Sequence, residues 1–293
     1  MVSDKKIIVS NGATSIDLTA YPYYVNSTKG FDTLEAQIVT SQGYDQDGAY
    51  ILNDYILPRD MEIKGQVKAD TSEQMQKVKD RIFNLFLPKK NLSINHYYGG
   101  KNSTITARVE NTPEFSHTNV SVVEGYTVRM KAADPYWKDP VETLVSIANM
   151  TGGFHFPLVI PKEKGVTFGI KSATLIANAY NRSSVKVGMR FVFIANGTVT
   201  NPQLFNINTR EFFKLKCVML AGEKITVQTG SDKTVVRNVS GIESDYIGKI
   251  DIAGGGNTFL ELNSGDNLLR YGADGGEDML EVRLFYKNKY LGV

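Results

Sequence analysis

Few side chains in this sequence could do chemistry. There are three His and one Cys in 293 residues, and His96, His117, His155 and Cys217 lie far apart along the chain. Zinc sites draw on His and Cys at short, fixed intervals, so no metal is expected. Cys217 sits in a run with Leu215, Val218, Met219 and Leu220, where a small buried hydrophobe is expected rather than a nucleophile. Asp45-x-Asp47-Gly48 begins like a calcium loop, but that loop needs Gly at its sixth position and an acid at its twelfth. Here Tyr50 and Ile56 fall there, so a hairpin turn is expected. Gly254-Gly255-Gly256 is followed by no Lys-Ser/Thr pair and opens no helix, which excludes a phosphate cradle. No Gly-x-Ser-x-Gly elbow occurs. The 31 Asp and Glu allow many carboxylate pairs for glycoside hydrolysis, and nothing selects one. The chain is therefore read as a binding or assembly part with no cofactor. A wall-degrading hydrolase is one alternative.

The totals narrow the partners. With 33 Lys and Arg against 31 Asp and Glu, the formal net charge is +2, and the basic residues are dispersed. Nucleic acid is not the expected partner. No apolar stretch approaches a membrane span, and the three apolar residues after Lys5-Lys6 are too few for a signal-peptide core. A single Cys fits synthesis in a reducing cytoplasm.

Alternation marks the elements. Ile7-Ile8-Val9, Asn11-Gly12 and Ile16 with Leu18 spell a short hairpin. Leu34, Ala36 and Ile38 predict a strand, Gly43–Gly48 a polar loop, and Tyr50-Ile51-Leu52 the return strand. Met61, Ile63, Gly65 and Val67 alternate with Glu62, Lys64, Gln66 and Lys68, the pattern of a strand wet on one face. One helix is predicted after Thr71: Thr71 caps it, Gln74 lies three residues on, and Met75, Val78, Ile82, Leu85 and Phe86 recur at helical spacing up to Pro88. Its apolar stripe should cover a sheet. Leu92–Tyr97 and Thr104–Val109 flank a turn that predicts a protruding hairpin. From Gly152-Gly153 onward the pattern is strands and turns alone. Val185–Phe193 and Leu280–Tyr286 alternate cleanly, at the spacing of a β-sandwich.

Between the halves stands Asp134-Pro135-Tyr136-Trp137-Lys138-Asp139-Pro140, with the only Trp and two of the nine Pro. Each Pro removes a backbone donor and bends its predecessor away from helix, so a domain junction is predicted, its segment unfit for a sheet interior. Tyr136 and Trp137 are expected to pack on a neighbouring domain surface. The expected layout is a mainly β chain. Residues 1–137 form a β-rich domain with one helix, 138–152 a linker, and 153–293 a β-sandwich.

Asp134-Pro135-Tyr136-Trp137, Gly152-Gly153-Phe154-His155-Phe156-Pro157-Leu158, Asn196–Pro202, Gly222–Thr229 and Leu262-x-x-Gly265-Asp266-Asn267 give the chain a resemblance. Over nearly its whole length it resembles the distal tail proteins (Dit) of long-tailed, non-contractile bacteriophages. The resemblance implies an N-terminal domain that builds a hexameric hub ring, single or as two stacked rings, and a galectin-like C-terminal sandwich. It further implies a place at the virion tail tip, with the tail tube protein, the tail-tip protein and the receptor-binding protein as partners in host attachment. On that reading Tyr97 and Tyr98, near the tip of the expected protruding hairpin, are candidates for subunit contact. The His-x-Asn-x-Arg pattern of sugar-binding galectins is absent. A carbohydrate-binding or adhesion module is the second alternative.

Overall fold

A computed structural model of the chain describes residues 5–116, 122–147, 150–151, 170–171, 176–256 and 258–293. His117, His155, Asn257 and the Gly152–Leu158 stretch lie outside the described residues. Two compact units are present. One comprises residues 1–140 together with 289–293, the other residues 141–288.

In the first unit the strands are β1 (Lys6–Ser10), β2 (Ser15–Asp17), β3 (Tyr23–Lys29), β4 (Ala36–Ser41), β5 (Tyr50–Ile56) and β6 (Arg59–Lys68). Helix α1 (Ser72–Leu85) follows, then β7 (Asn91–Tyr98), β8 (Lys101–Val109), β9 (Glu114–Ser116), β10 (Val123–Ala132) and β11 (Trp137–Lys138). The main path of the sheet is β2-β1-β7-β8-β10-β6-β3. In β6, Met61, Ile63 and Val67 are buried while Asp60, Lys64, Gln66 and Lys68 are exposed, as the alternation predicts. Helix α1 starts where Thr71 accepts a hydrogen bond from Gln74 N at 3.2 Å. Met75, Ile82, Leu85 and Phe86 enter one core with Ile7, Leu92 and Ile94 of the sheet. The turn after β1 is fastened to the helix end, because Asn11 Nδ2 donates to the carbonyls of Asn84 and Leu85 at 2.8 and 3.0 Å.

Two expectations for this unit change. The hairpin β7–β8 does not protrude: β7 pairs with β1 on its other side, and β8 with β10 and β11. Its turn is tight because Gly99 and Gly100, both at positive φ, give the reversal with no side chain to pack. Nor is the Asp-Pro-Tyr-Trp segment excluded from the sheet. Its two Pro flank rather than interrupt β11, which leaves Trp137 and Lys138 free to pair.

The second unit contains β12 (Thr143–Ser146), β13 (Met150–Thr151), β14 (Ile170–Lys171), β15 (Ile176–Asn178), β16 (Val187–Ala195), β17 (Val199–Asn206), β18 (Phe212–Lys214) and β19 (Val218–Met219). It continues with β20 (Lys224–Gln228), β21 (Thr234–Val239), β22 (Ile242–Asp245), β23 (Glu261–Leu262), β24 (Leu268–Gly275) and β25 (Leu280–Tyr286). One sheet runs β12-β25-β16-β20-β21-β22, the other β15-β24-β17-β18. Alternate residues of β16, Val187 through Ala195, are buried, and Phe191 meets Phe213 of the opposite sheet edge-on at 5.5 Å. Two facing sheets around one core make a β-sandwich. The stretch expected as a linker supplies β12, paired with β25 in register Thr143↔Tyr286. The final strand, β26 (Lys289–Tyr290), belongs with the first unit, where Trp137 pairs with Tyr290.

Candidate functional site

Among the described residues no three His, Cys, Asp or Glu side chains stand close enough to hold a metal ion, and no helix is long and apolar enough to cross a membrane. Burial pushes the Cys217 thiol up to about 11, and Glu223 adds to the effect while Arg237 opposes it. A thiol held protonated is a poor nucleophile. The features that point outward are surfaces.

The predicted junction residues are brought together at the end of the first unit. Trp137 is fully buried in that unit's own core, not on a neighbouring domain. Its indole Nε1 donates to Phe31 O at 3.0 Å, and its ring lies 5.3 Å from Phe31 and 6.0 Å from His96. The core of its own unit gives the indole both apolar cover and an acceptor. Asp134 is ion-paired with Lys138 at 2.7 Å, with Lys289 at 3.8 Å, and Lys289 also stands over the Tyr136 ring at 4.9 Å. Burial alone would raise the Asp134 pKa; Lys138, Lys289 and the Tyr136 N–H together outweigh it and hold the carboxyl below its ordinary range.

The residue that organises this region was not singled out by the sequence reading. Arg59 is 3% exposed and donates to four main-chain carbonyls: Pro135 at 2.6 Å, Gly30 at 2.7 Å, Phe31 at 2.9 Å, and Leu291. One guanidinium thus fastens three places remote in sequence, around residues 30–31, 135 and 291. Burial lowers its pKa, and Asp32 partly offsets that. A Pro-Arg pair opening an alternating strand was the available signal; the inward phase of that strand includes position 59.

Tyr97 and Tyr98 stand at the end of β7. Tyr97 is half-buried and sits opposite Lys6 and Asn102, while Tyr98 is 62% exposed beside the turn. The element that does project is the β4–β5 hairpin. Among the described residues these strands pair only with each other, and every one of their residues is exposed. Ile38 faces the same side as Asp54 and Ile56 by register, and Ile51, opposite Thr40, joins them. A shift in register between Val39 and Thr40 leaves Leu52 as the extra residue on β5.

A cleft of about 560 Å³ lies in the main sheet of this unit between its two ends, the start of β1 on one side and the edge strand β3 on the other. Lys5, Lys6, Tyr24, Asn26 and Thr28 help to line it, and Asp17 is its one acidic lining residue. The Asp17 carboxylate already accepts from Thr19 N and Oγ1 at 2.9 and 2.6 Å.

Residues 14–120 match the family model described as the phage tail protein RIFT-related domain. No curated protein matches the sequence. Among solved structures the chain is similar to the Dit protein (gp 19.1) of phage SPP1, described as a paradigm of the hub adsorption apparatus in Gram-positive infecting phages. The identity is 14% and the TM-score 0.69, over 97% of this chain and 99% of that one. It is also similar to chains of the phage p2 baseplate in its activated conformation, in two structures. There the identity is 10% and the TM-score 0.56, with 99% or more of each chain covered. Residues 14–120, in the N-terminal unit, thus match a phage tail domain, and the chain as a whole has the fold of the SPP1 Dit protein over nearly its full length.

Proposed function

We propose that the chain forms a homohexameric hub ring at the distal end of the tail, as one ring or two stacked. The ring joins the tail tube protein to the tail-tip protein and carries the receptor-binding protein at its rim. The first unit supplies the ring and the second the outward docking surface, after synthesis in the host cytoplasm. The observation that carries this reading is the length of the likeness: both units, in order, follow a hub protein of a tail tip. A chain that shared only the ring-type domain would support a tail role without a hub. Tyr98, exposed at the end of β7, is a candidate for contact between neighbouring subunits.

Light scattering on the purified protein, with negative-stain images of the same peak, tests the reading. Six or twelve copies of the 32.5 kDa chain in a six-fold ring are expected. A compact dimer or trimer with no central hole would refute it.

A further inference from the structure

We propose that the second unit carries a saccharide-binding cleft on the outer face of its β15-β24-β17-β18 sheet, shaped for the ring of a neutral sugar. The cleft measures about 350 Å³, and Gln203, Phe205, Phe212, Arg270, Gly272 and Glu277 help to line it. Small-molecule sites run from roughly 300 to 1,000 Å³, so a mono- or disaccharide is the scale of ligand it admits. The cleft lies wholly within the second unit, and it stands or falls independently of the ring proposed above.

Register assembles the site. Strand β17 lies between β24 and β18, with Phe205 opposite Arg270 on one side and Phe212 on the other, and with Gln203 opposite Gly272. These residues take the outward phase, since Leu204, Phe213, Leu269 and Tyr271 alternate with them and are buried in the core. Gly272 leaves the floor open. A Cβ there would lie 3.1 Å from Gln203 Nε2 and 3.2 Å from Glu277 Oε1, so an amide and a carboxylate converge over a residue with no side chain. Glu277 comes to that place through Gly276, at φ +70°, which turns the chain where a side chain would run into the Thr198 carbonyl.

Chemistry selects the ligand. Among the described residues the side chains of Gln203, Arg270 and Glu277 make no hydrogen bond or ion pair. Further along the same face the polar groups are paired with one another: Asp274 accepts from Lys214 Nζ at 2.7 Å and from Asn201 Nδ2 at 2.9 Å. Gln203 and Glu277 are half-buried, and a ligand's hydroxyls would satisfy them. Beside them Phe205 and Phe212, also half-buried, offer flat apolar rings. The C–H face of a pyranose stacks on such rings while its hydroxyls reach amide, guanidinium and carboxylate. The formal charges of Arg270 and Glu277 sum to zero. A nucleotide or another phosphate ligand draws on a cationic surplus, which this cleft lacks, so the ligand class is a neutral sugar.

Saturation-transfer NMR on the full-length chain tests the site, with methyl β-glucoside, methyl β-galactoside, N-acetylglucosamine and rhamnose as neutral probes and glucuronate as the anionic one. Irradiating the aromatic protons should saturate the C–H protons of one ring face in at least one neutral probe, with a dissociation constant in the millimolar range. Phe205→Ala should weaken that binding about tenfold, and Arg270→Met and Glu277→Gln about fivefold each. Glu277→Gln keeps the shape of the side chain and removes only its charge, so it reads the site even where Phe205→Ala lowers the urea midpoint. No transfer to any neutral probe at tens of millimolar would overturn the proposal, as would transfer that all three variants retain. Glucuronate bound in preference to every neutral probe, and lost in Arg270→Met alone, would make the cleft an anion site and overturn the neutral-sugar assignment. Oligomeric mass is read separately, so a chain that forms no ring leaves each of these outcomes in force.

Discussion

At the scale of single residues, burial decides which polar groups are available. Cys217 is the one thiol, and desolvation raises its pKa to about 11 although Arg237 and Lys249 pull the other way. The thiolate is then a minor species at neutral pH, and alkylation should run roughly a hundredfold slower in the folded chain than in urea. Iodoacetamide labelling followed by mass spectrometry at pH 8 measures that ratio. Equal rates in both states would mean an open thiol. Nearby, Glu223 shows what an engaged group looks like. It accepts two bonds from Arg237 Nη2 at 2.8 and 2.6 Å, and Arg237 Nη1 donates to Tyr246 Oη at 2.9 Å. Both carboxylate oxygens meet the one nitrogen Nη2, a charge-assisted tie between the start of β20 and β21 that no spacing rule would disclose.

Elements depend on a few backbone positions where only glycine serves. Gly30 follows β3 at φ +77°, and a Cβ there would run into the carbonyl oxygen of Asp60 and lie 3.2 Å from Met61 Cα. Both obstacles are main chain, and the Gly30 carbonyl itself receives Arg59. Gly30→Ala should therefore cost about 2–4 kcal/mol. Gly99→Ala, also at positive φ but with open space around it, should cost only about 1 kcal/mol. Urea denaturation of the two variants compares them, and equal losses would refute the distinction. The same scale shows what a sequence discloses. The alternation of Met61–Val67 and the capped stripe of α1 identify their elements, because one face is buried and the other wet. The hairpins at 36–56 and 91–109 look alike in sequence: apolar strands around a Gly-rich turn. Periodicity reports which faces are covered, not which edges are paired, so the reading assigned the projection to Tyr97 and Tyr98 and missed the β4–β5 hairpin. Apolar residues on successive positions, Ile38-Val39 and Ile51-Leu52, were the discernible sign of a strand that needs cover on both sides.

At the scale of the molecule, the first unit is assembled from two distant parts of the chain, with the second unit's residues 141–288 running between them. Strand β26 pairs with β11, Tyr290 Oη donates to Asp139 at 2.7 Å, and Lys101 stands 3.7 Å over the Tyr290 ring. Arg59 joins this returning segment to the opening strands by holding Leu291, Gly30, Phe31 and Pro135 at once. Composition carries no trace of such closure, since five residues have neither periodicity nor a charge pattern to announce a destination. The energetic consequence is coupling. Arg59→Met strips a donor from four carbonyls and should destabilise the first unit by about 3–5 kcal/mol. Removing Lys289–Val293 should cost about 2–4 kcal/mol. The two losses should fall short of additive by at least about 0.5 kcal/mol, because truncation already deletes one of the guanidinium's acceptors and opens the site to water. A double-mutant cycle measured by urea unfolding of the full chain, the truncated chain and each Arg59→Met counterpart yields the coupling. Strict additivity would show that the returning segment and the Arg59 clamp stabilise the unit independently, and that the first unit tolerates the loss of either without consequence for the other.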